Sequence, residues 1–391
     1  MSREIWLVLG TQNSDLKLIN LPSKEWDELT PQDVGGRRSE KTVCIVRYGG
    51  FGDMIQVSSL FPQFKKLGYK VCVNVTEIGY DIIKTDPNVD EILLQKTDQI
   101  PNNHLTEYWE RLSKCFHHFV QLSESIEGSL LVTPARTELI DGERKLVPAS
   151  PRFSLSKEEL HKECNVNYME RTHDLAGVGF LIGKGFSKPG SIKLPYAFLP
   201  KFYPTKKEKQ WAKTTRKKMG PNKIILWALA GSSVHKNYPW TDMTIAQVLI
   251  KRKDVSFVTM GDQLCQLLEA GWENEPRVIT KSGKWSIRRT LAFLDQCDAV
   301  IGPETGVLNA ASTLDCHKVV MLSHSSKENL SKHWKNTTTL EPDVYENFCF
   351  PCHKMHYGFD TCYRDEETGG AMCAVHIKPE NVTRSILDNL K

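Results

Sequence analysis

The sequence predicts an α/β protein of two Rossmann-like domains in series, each built around a parallel sheet. Apolar runs of strand length alternate with helical segments over residues 43–122, and the same alternation returns over residues 224–323. A proline-rich segment and then a basic one, near residues 200–222, separate the two series. Strands that alternate with helices are typical of parallel β-α-β units. A chain of 391 residues is also long enough for two domains of ordinary size.

The composition is that of a soluble globular protein. Hydrophobic residues make up 40% and charged residues 25% of the chain, and the formal net charge is +4. This mild charge does not require a polyanionic partner. The N-terminus lacks the apolar stretch of a signal peptide, and no apolar run is long enough to span a bilayer. We therefore expect a cytoplasmic protein without a transmembrane segment.

The first domain is expected to hold four parallel strands after an N-terminal extension. Residues 1–40 carry one apolar run, Ile5 to Leu9, which we interpret as an edge hairpin. Apolar residues from Met54 to Phe64 fall near one helical face, and Gly68 then ends that helix. The predicted strands are Val43–Val46, Val71–Val75, Glu91–Leu94 and His117–Leu122.

Residues 123–200 are polar and show few periodic runs. We interpret them as an insertion whose loops carry substrate contacts, as loops on α/β domains commonly do. One helix is predicted to start near Ser156, because Glu159 is placed to complete a capping box with that serine.

The second domain is expected to repeat the pattern of the first. A final amphipathic segment has Pro379 near the start of a short helix. These patterns divide the chain into residues 1–205, residues 206–378 and a C-terminal helix over residues 379–391. The predicted strands of the second domain are Ile224–Leu229, Val255–Gly261, Ala299–Gly302 and Lys318–Ser323.

The stretch RYGGFGDMIQ follows the first predicted strand and contains Gly49, Gly50, Gly52 and Asp53. Ligands of open parallel sheets bind beyond the carboxyl ends of the strands, and glycines allow a backbone to approach a ligand closely. The spacing is not G-x-G-x-x-G, so the dinucleotide fingerprint of an NAD-dependent oxidoreductase is absent. Asp53 has two interpretations, a helix cap or a catalytic base beside a cleft.

Three loops of the second domain carry groups that suit a phosphorylated ligand. Lys236 lies in a loop after a strand, where it is either a phosphate-binding charge or an ordinary surface lysine. Thr305 and Gly306 open a helix of small residues, and the free N–H groups at such a start bind anions. Glu304 precedes them and either accepts bonds from sugar or ribose hydroxyls or has a turn or cap role. The candidate residues are Ser232, Lys236, Glu304, Thr305, Gly306, Asn309 and Ser323.

Three stretches resemble motifs of the heptosyltransferase-like glycosyltransferases, glycosyltransferase family 9. They are VCIVRYGGFGDMIQVSSLFPQFKK, GSSVHKNYPW and CDAVIGPETGVLNAAS, and the resemblance extends over about residues 43–391. The family patterns are roughly R-x-x-x-x-G-D, K-x-W-P and D-T-G-x-x-H-x-A-A. The resemblance implies the GT-B architecture, in which two Rossmann-like domains with parallel sheets face each other across a cleft. It also implies that the C-terminal helix packs back toward the first domain.

The resemblance implies roles for individual residues as well. Asp53 matches the aspartate proposed as the general base. Lys236 matches the lysine that contacts the donor diphosphate. Thr305 and Gly306 match the residues whose backbone holds the same diphosphate, so we expect the donor to bind in the second domain.

Three positions depart from the family pattern. Glu304 stands where the family usually has aspartate, and Asn309 stands where it usually has histidine. Tyr238 replaces the common tryptophan of the lysine loop. Because a longer acid at position 304 would shift contacts with the donor, the resemblance does not identify the donor sugar as ADP-heptose.

The predicted function is that of an inverting glycosyltransferase that needs no cofactor or metal for catalysis, as the resemblance implies. An acceptor hydroxyl attacks the anomeric carbon of a nucleoside-diphosphate sugar while Asp53 takes the proton. Lys236 and the helix start at Thr305 stabilise the leaving diphosphate. The expected acceptor is a glycan such as a lipopolysaccharide core. Two alternatives are transfer to a hydroxymethylated DNA base and a non-catalytic nucleotide-binding protein.

The basic stretch over residues 201–223 is the feature that favours a DNA acceptor. It contains nine basic residues and one acid, Glu208. Such a stretch either binds a polyanion or forms a solvated helix face beside a linker. Steep salt dependence of DNA binding would favour the first interpretation.

Eleven cysteines are many for a cytoplasmic protein, and seven of them lie among apolar runs where we expect buried thiols. A C-x₂-C pair with two later cysteines is compatible with a structural zinc site, with disulfides or with free thiols. In each case we expect a stabilising role rather than a catalytic one. The four cysteines of this Cys-rich segment, residues 349–376, are Cys349, Cys352, Cys362 and Cys373.

Overall fold

A computed structural model describes most of the chain, and within it the residues form two compact units. One unit is Met1–Ser123 with His173–Lys209, and the other is Glu124–Thr172 with Gln210–Lys391. The predicted single boundary at residue 205 therefore differs from this division. The described residues are 16–21, 30, 33, 40–97, 99–123, 130–140, 143–178, 181–182, 185–186, 192–343, 345 and 349–390.

Strands and helices are numbered here in chain order. The described strands are β1 Lys17–Asn20, β2 Thr42–Val46, β3 Lys70–Val75, β4 Glu91–Leu94, β5 His118–Gln121, β6 Arg136–Ile140, β7 Glu143–Val147, β8 Leu181–Ile182, β9 Gly185–Phe186, β10 Lys223–Ala228, β11 Val255–Met260, β12 Val278–Thr280, β13 Ala299–Pro303, β14 His317–Met321 and β15 Thr337–Leu340. The described α-helices are α1 Phe51–Val57, α2 Phe61–Lys66, α3 Glu77–Ile83, α4 Leu105–Ser113, α5 Lys157–Cys164, α6 Tyr168–Val178, α7 Lys206–Lys218, α8 Thr241–Lys251, α9 Ile287–Phe293, α10 Gly306–Ala311, α11 Met372–Val375 and α12 Pro379–Asn389.

The first unit is built on a five-stranded parallel sheet in the order β1-β4-β3-β2-β5. Every residue of β2, which lies between β3 and β5, is buried, and this explains its continuous apolar pattern. The chain order reverses between β2 and β5, so this pair is the topological switch point of the sheet. The loops that follow these two strands therefore flank the place where a ligand of such a sheet binds.

The second unit contains a six-stranded parallel sheet in the order β12-β11-β10-β13-β14-β15. Its switch point lies between β10 and β13, the two central strands. The buried side chains of α8 and α12 join one core cluster with residues of this sheet. An antiparallel hairpin of β6 and β7 also belongs to this unit.

The C-terminal helix α12 confirms the predicted amphipathic segment. Its buried residues include Val382 and Ile386, which lie in the core of the six-stranded sheet. Thr383 donates a hydrogen bond to Gln247 on α8 at 2.8 Å. Packing of this helix toward the first unit, which the resemblance implies, stays a prediction.

All eight predicted strands are present within two residues of their expected bounds. The sheets also contain β1, β12 and β15, which were not predicted and which form sheet edges. The run Ile5–Leu9 lies outside the described residues. The described part of residues 1–40 contributes the parallel strand β1, and the predicted hairpin stays untested.

The predicted capping box at the start of α5 is confirmed. The backbone N–H of Glu159 donates to the hydroxyl of Ser156 at 3.2 Å, and the Glu159 carboxylate accepts the Ser156 N–H at 2.9 Å. Among the described helices, none combines the length and the apolar character needed to cross a membrane.

Candidate functional site

The loops after β2 and β5 are joined at the switch point of the first sheet. The guanidinium of Arg47 donates to the carbonyl oxygen of Leu122 at 2.6 Å. The backbone N–H of Tyr48 donates to the hydroxyl of Ser123 at 2.7 Å. These bonds hold the glycine loop against the end of β5, so the position of the loop is set by the sheet.

Asp53 lies in the first turn of α1, and both of its carboxylate oxygens are engaged. Oδ2 accepts the backbone N–H of Gly50 at 3.1 Å, which is the bond of a helix cap. Oδ1 lies 3.2 Å from a guanidinium nitrogen of Arg47. The side chain is nevertheless 34% exposed, so it is accessible from solvent. The cap interpretation is confirmed, and the role as a base stays a prediction.

The glycines of this loop leave room for the Asp53 carboxylate. Gly49 has a φ of 101°, in the left-handed region that side chains other than glycine rarely adopt. A Cβ atom added at Gly49 would lie 3.2 Å from Oδ2 of Asp53, and one at Gly50 would lie 3.4 Å from it. Gly52 is buried within α1.

The second unit brings two predicted donor-binding residues together at its own switch point. Gly231 follows β10, and a Cβ atom added there would lie 2.7 Å from Cδ of Lys236. The same atom would lie 3.4 Å from Cγ2 of Thr305, which follows β13. Because β10 and β13 are hydrogen-bonded neighbours, their carboxyl ends deliver the lysine and the threonine to one place. The exposed Ser232 lies in the same loop.

Thr305 is the N-cap of the short helix α10. Its hydroxyl accepts the backbone N–H of Leu308 at 3.4 Å. Gly306 is the first residue of the helix, and a glycine there leaves the approach to the backbone open. Asn309 lies one turn later, and its side-chain oxygen is buried without a hydrogen-bond partner among the described residues.

Glu304 is buried and organises the loop that follows β14. Its Oε1 accepts the backbone N–H groups of Ser323, His324 and Ser325, and its Oε2 accepts the Ser325 hydroxyl at 2.7 Å. Ser323 also donates its hydroxyl to Oε1, at 3.1 Å. These contacts hold a turn in that loop, which agrees with the turn or cap role that was the second interpretation. Direct contact of Glu304 or Ser323 with a donor sugar stays a prediction.

A buried histidine pair connects Glu304 to the lysine loop. Nδ1 of His324 lies 3.2 Å from Oε2 of Glu304 and 3.0 Å from Nε2 of His235. Burial lowers the pKa of both imidazoles well below the ordinary value, so both rings are neutral at pH 7. A proton on Nδ1 of His324 satisfies both contacts, because the carboxylate and Nε2 of His235 can each accept it. His235 directly precedes Lys236, so this pair fixes the base of the lysine loop.

Tyr238, one of the three residues that depart from the family pattern, is a core residue. Its hydroxyl donates to the carbonyl oxygen of Ile377 at 2.8 Å, and its ring stacks near Trp227 with centroids 6.3 Å apart. Trp240 similarly donates its indole N–H to the carbonyl oxygen of Val375 at 3.0 Å. The lysine loop is therefore anchored on the segment just before α12.

The four cysteines of the Cys-rich segment line one cavity in the second unit. Its volume is about 220 Å³, and His235, Ser323 and His356 line it as well. Burial raises the pKa of Cys352 to about 12 and that of Cys362 to about 11, so both thiols are protonated at neutral pH. All eleven cysteines are free, so the disulfide alternative does not describe this structure.

A zinc site is not assembled around this cavity in the residues that the structure describes. There, no three His, Cys, Asp or Glu side chains are grouped closely enough to hold a metal ion. Sγ of Cys352 and Nε2 of His356 lie 3.8 Å apart. The thiols share a cavity without the spacing of a tetrahedral site, and bound zinc stays a prediction.

Sequence reasoning missed two sets of residues at these sites. Arg47 stands within the first motif but was given no role, because its burial depends on the neighbouring strand β5. His235 and His324 were also passed over, because two single histidines in separate loops give no local signal. Their only sequence mark is position, since each follows a predicted strand by a few residues.

No protein-family model and no curated protein matches the sequence. Solved structures do match it. A glycosyltransferase of family 9 from Veillonella parvula is 11% identical with a TM-score of 0.61, over 90% of this chain and 97% of that one. ADP-heptose lipopolysaccharide heptosyltransferase II of E. coli is 13% identical with a TM-score of 0.56, over 90% and 98%. The dodecameric iron-containing heptosyltransferase TibC, in complex with ADP-D-β-D-heptose, is 12% identical with a TM-score of 0.50, over 90% and 76%.

At identities of 11–13%, these comparisons concern the fold and extend over nine-tenths of the chain. The two parallel sheets with their helices agree with the predicted α/β class. The chain has the fold of the heptosyltransferases and of glycosyltransferase family 9.

Proposed function

We propose that the protein is a glycosyltransferase that moves a sugar from a nucleoside-diphosphate sugar to an acceptor hydroxyl. The observation that carries this proposal is the convergence of Lys236 and Thr305 beside Gly231, at the switch point of the second sheet. A lysine charge and the N–H groups of a helix start suit a diphosphate. Because TibC was solved with ADP-D-β-D-heptose, an ADP-sugar is the first donor to test.

In the proposed reaction the acceptor hydroxyl attacks the anomeric carbon on the side opposite to the diphosphate. Asp53 takes the proton of that hydroxyl, and the C–O bond to the diphosphate breaks with inversion of configuration. Lys236 and the backbone beyond Thr305 stabilise the negative charge that develops on the leaving group. These groups supply the base and the charge stabilisation, so the proposed mechanism needs no metal ion.

The proposed acceptor is a bacterial glycan such as a lipopolysaccharide core. The similar fold of the E. coli lipopolysaccharide heptosyltransferase supports this choice. Because position 304 holds glutamate and not the shorter aspartate of the family pattern, the proposal does not specify the donor sugar. Glu304 acts on the donor site indirectly, through the loop of residues 323–325 that it holds.

The first experiment is a thermal-shift screen against nucleotide sugars, followed by product analysis. A true donor binds the folded state and raises Tm by mass action. Product NMR then reports the anomeric configuration, and activity in EDTA tests metal independence. A retained configuration would contradict the inverting mechanism. A donor that binds without any transfer to glycan acceptors would instead favour the non-catalytic alternative.

Asp53→Asn tests the proposed base directly. We expect a normally folded protein whose kcat falls by about 10²–10⁴-fold, the usual contribution of general base catalysis. Asp81→Asn is a suitable control, because Asp81 is a partly exposed acid on α3 that is paired with Lys84. Near-normal turnover by Asp53→Asn would remove this residue from the mechanism.

The alternative of a DNA acceptor is favoured by one observation, the cationic outer face of α7. Six lysines on this face are exposed, and none of them forms an ion pair with another residue that the structure describes. However, its aromatic residue Trp211 packs edge-on against Trp285, with centroids 5.0 Å apart, and is not presented outward for base stacking. Salt-dependent binding of hydroxymethylated DNA, followed by sugar transfer to it, would establish this acceptor. The six exposed lysines on the face of α7 are Lys206, Lys207, Lys209, Lys213, Lys217 and Lys218.

A further inference from the structure

Arg47 is a charged side chain placed almost entirely out of water. It is 1% exposed and follows directly after β2, a fully buried interior strand of the first sheet. One guanidinium nitrogen donates to the carbonyl oxygen of Leu122, and another lies 3.2 Å from Oδ1 of Asp53. The planar guanidinium therefore links the end of β5 to the proposed base.

Stability alone does not explain a buried arginine at this point. Removing a charge from water costs several kcal/mol, and well-packed apolar residues often replace buried ion pairs without loss of stability. The surrounding strand is apolar, from Val43 to Val46. An apolar side chain of similar volume would continue that pattern, so the charge calls for a different reason.

The partner of Arg47 gives that reason. Asp53 is held at two points, by the Gly50 N–H on Oδ2 and by Arg47 on Oδ1. Together these contacts fix the rotation of the carboxylate, while 34% of the side chain remains exposed to a ligand. A base that is oriented by a third group is a recurring arrangement in enzyme sites.

We propose that Arg47 is the positioning residue that orients Asp53 for proton removal. This inference rests on the proposed function. Lysine cannot replace the guanidinium here, because one ammonium group does not present two fixed donors to Leu122 and Asp53 at the same time. The loss of orientation affects the chemical step, whereas the donor binds to residues of the other unit.

The test is a double-mutant cycle of Arg47→Lys and Asp53→Asn, with kcat and donor KM measured for all four proteins. We expect Arg47→Lys to lower kcat by about 10–100-fold, the cost of a misplaced catalytic group, with donor KM changed less than about twofold. In the Asp53→Asn background the same change should have no further effect, because the oriented group is already lost.

Arg277→Lys provides a matched control. Arg277 also binds one carboxylate, that of Glu275, together with the backbone carbonyl oxygens of Leu249 and Arg252. It precedes β12, at the end of the sheet opposite to the candidate site. We expect this substitution to leave kcat within about twofold of the wild type, although it removes a similar set of bonds.

Arg47→Met covers the case in which the lysine variant does not fold. Methionine fills a similar volume without charge, so we expect a folded protein with the same loss of kcat. Losses that add in the double mutant, or full kcat in Arg47→Met, would overturn this inference while leaving the proposed function intact. A wild-type protein that transfers no sugar from any donor would overturn the proposed function and this inference with it.

Discussion

Asp86 offers a quantitative test of burial in the first unit. The residue is 3% exposed, and its Oδ1 accepts the backbone N–H and the side-chain amide of Asn88 at 2.8 and 2.9 Å. Burial raises the pKa of this carboxyl from 3.8 to about 6, although these bonds and the charge of Lys201 act in the opposite direction. At neutral pH the folded protein therefore contains an ionised Asp86 carboxylate that is poorly solvated.

We expect Asp86→Asn to stabilise the protein at pH 8 by up to about 3 kcal/mol. The folded state binds its proton more tightly than the unfolded state, so stability falls as the pH rises from about 4 to about 6. The pKa difference, 6 minus 3.8, multiplied by about 1.36 kcal/mol, gives about 3 kcal/mol. With the same two pKa values, the stabilisation expected from Asp86→Asn at pH 4.5 is only about 1 kcal/mol. Asparagine keeps the oxygen that accepts both Asn88 bonds and carries no charge.

Urea unfolding of both proteins at pH 4.5 and pH 8 measures this effect. The gain in unfolding free energy should be about 2 kcal/mol larger at pH 8 than at pH 4.5. Asp388→Asn, at an exposed position on α12, is the control and should show no such pH dependence. An equal gain at both pH values, or a destabilised Asp86→Asn at pH 8, would refute the argument from burial.

Three further predictions concern the second unit. Gly231→Ala places a Cβ atom 2.7 Å from Cδ of Lys236, so we expect donor KM to rise about tenfold in steady-state assays; an unchanged KM would contradict the placement of Lys236 at the donor. Glu304→Ala leaves three backbone N–H groups without their acceptor, and urea titration should show a loss of about 3 kcal/mol in unfolding free energy; a loss below about 1 kcal/mol would mean that the loop is held otherwise. Elemental analysis tests the predicted zinc site: we expect zinc in the purified wild type and less in Cys352→Ser, and a zinc-free wild type would exclude the site.

The interior strands were predictable because their burial leaves a continuous apolar pattern. Val43–Val46 and Ile224–Leu229 show it plainly, and both have a neighbouring strand on each side. Three of the edge strands, β1, β12 and β15, were not predicted. β12 has three residues, and β15 is the polar sequence TTTL, which is half-buried throughout. Edge strands of this kind depend on pairing with a neighbour that local sequence does not reveal.

The individual site residues were predictable in position but not in detail. Asp53, Lys236 and Thr305 were chosen because each follows a predicted strand, and the sheet topology confirms those places. The partners of Glu304 could not be predicted, because they lie 19 to 21 residues away on another loop. The burial of Arg47 likewise depends on β5, which lies 75 residues further along the chain.

The assignment of residues 124–172 to the second unit constrains the order in which this protein can mature. The N–H of Val132 donates to the carbonyl oxygen of His353, and Asn167 donates to that of Glu328. The ribosome therefore synthesises residues 124–172 well before it reaches Glu328 and His353, to which they bind. If the chain were divided after residue 209, residues 124–172 would stay with the N-terminal fragment, although they belong to the second unit. A separately expressed C-terminal half would require residues 124–172 to be supplied by circular permutation or fusion.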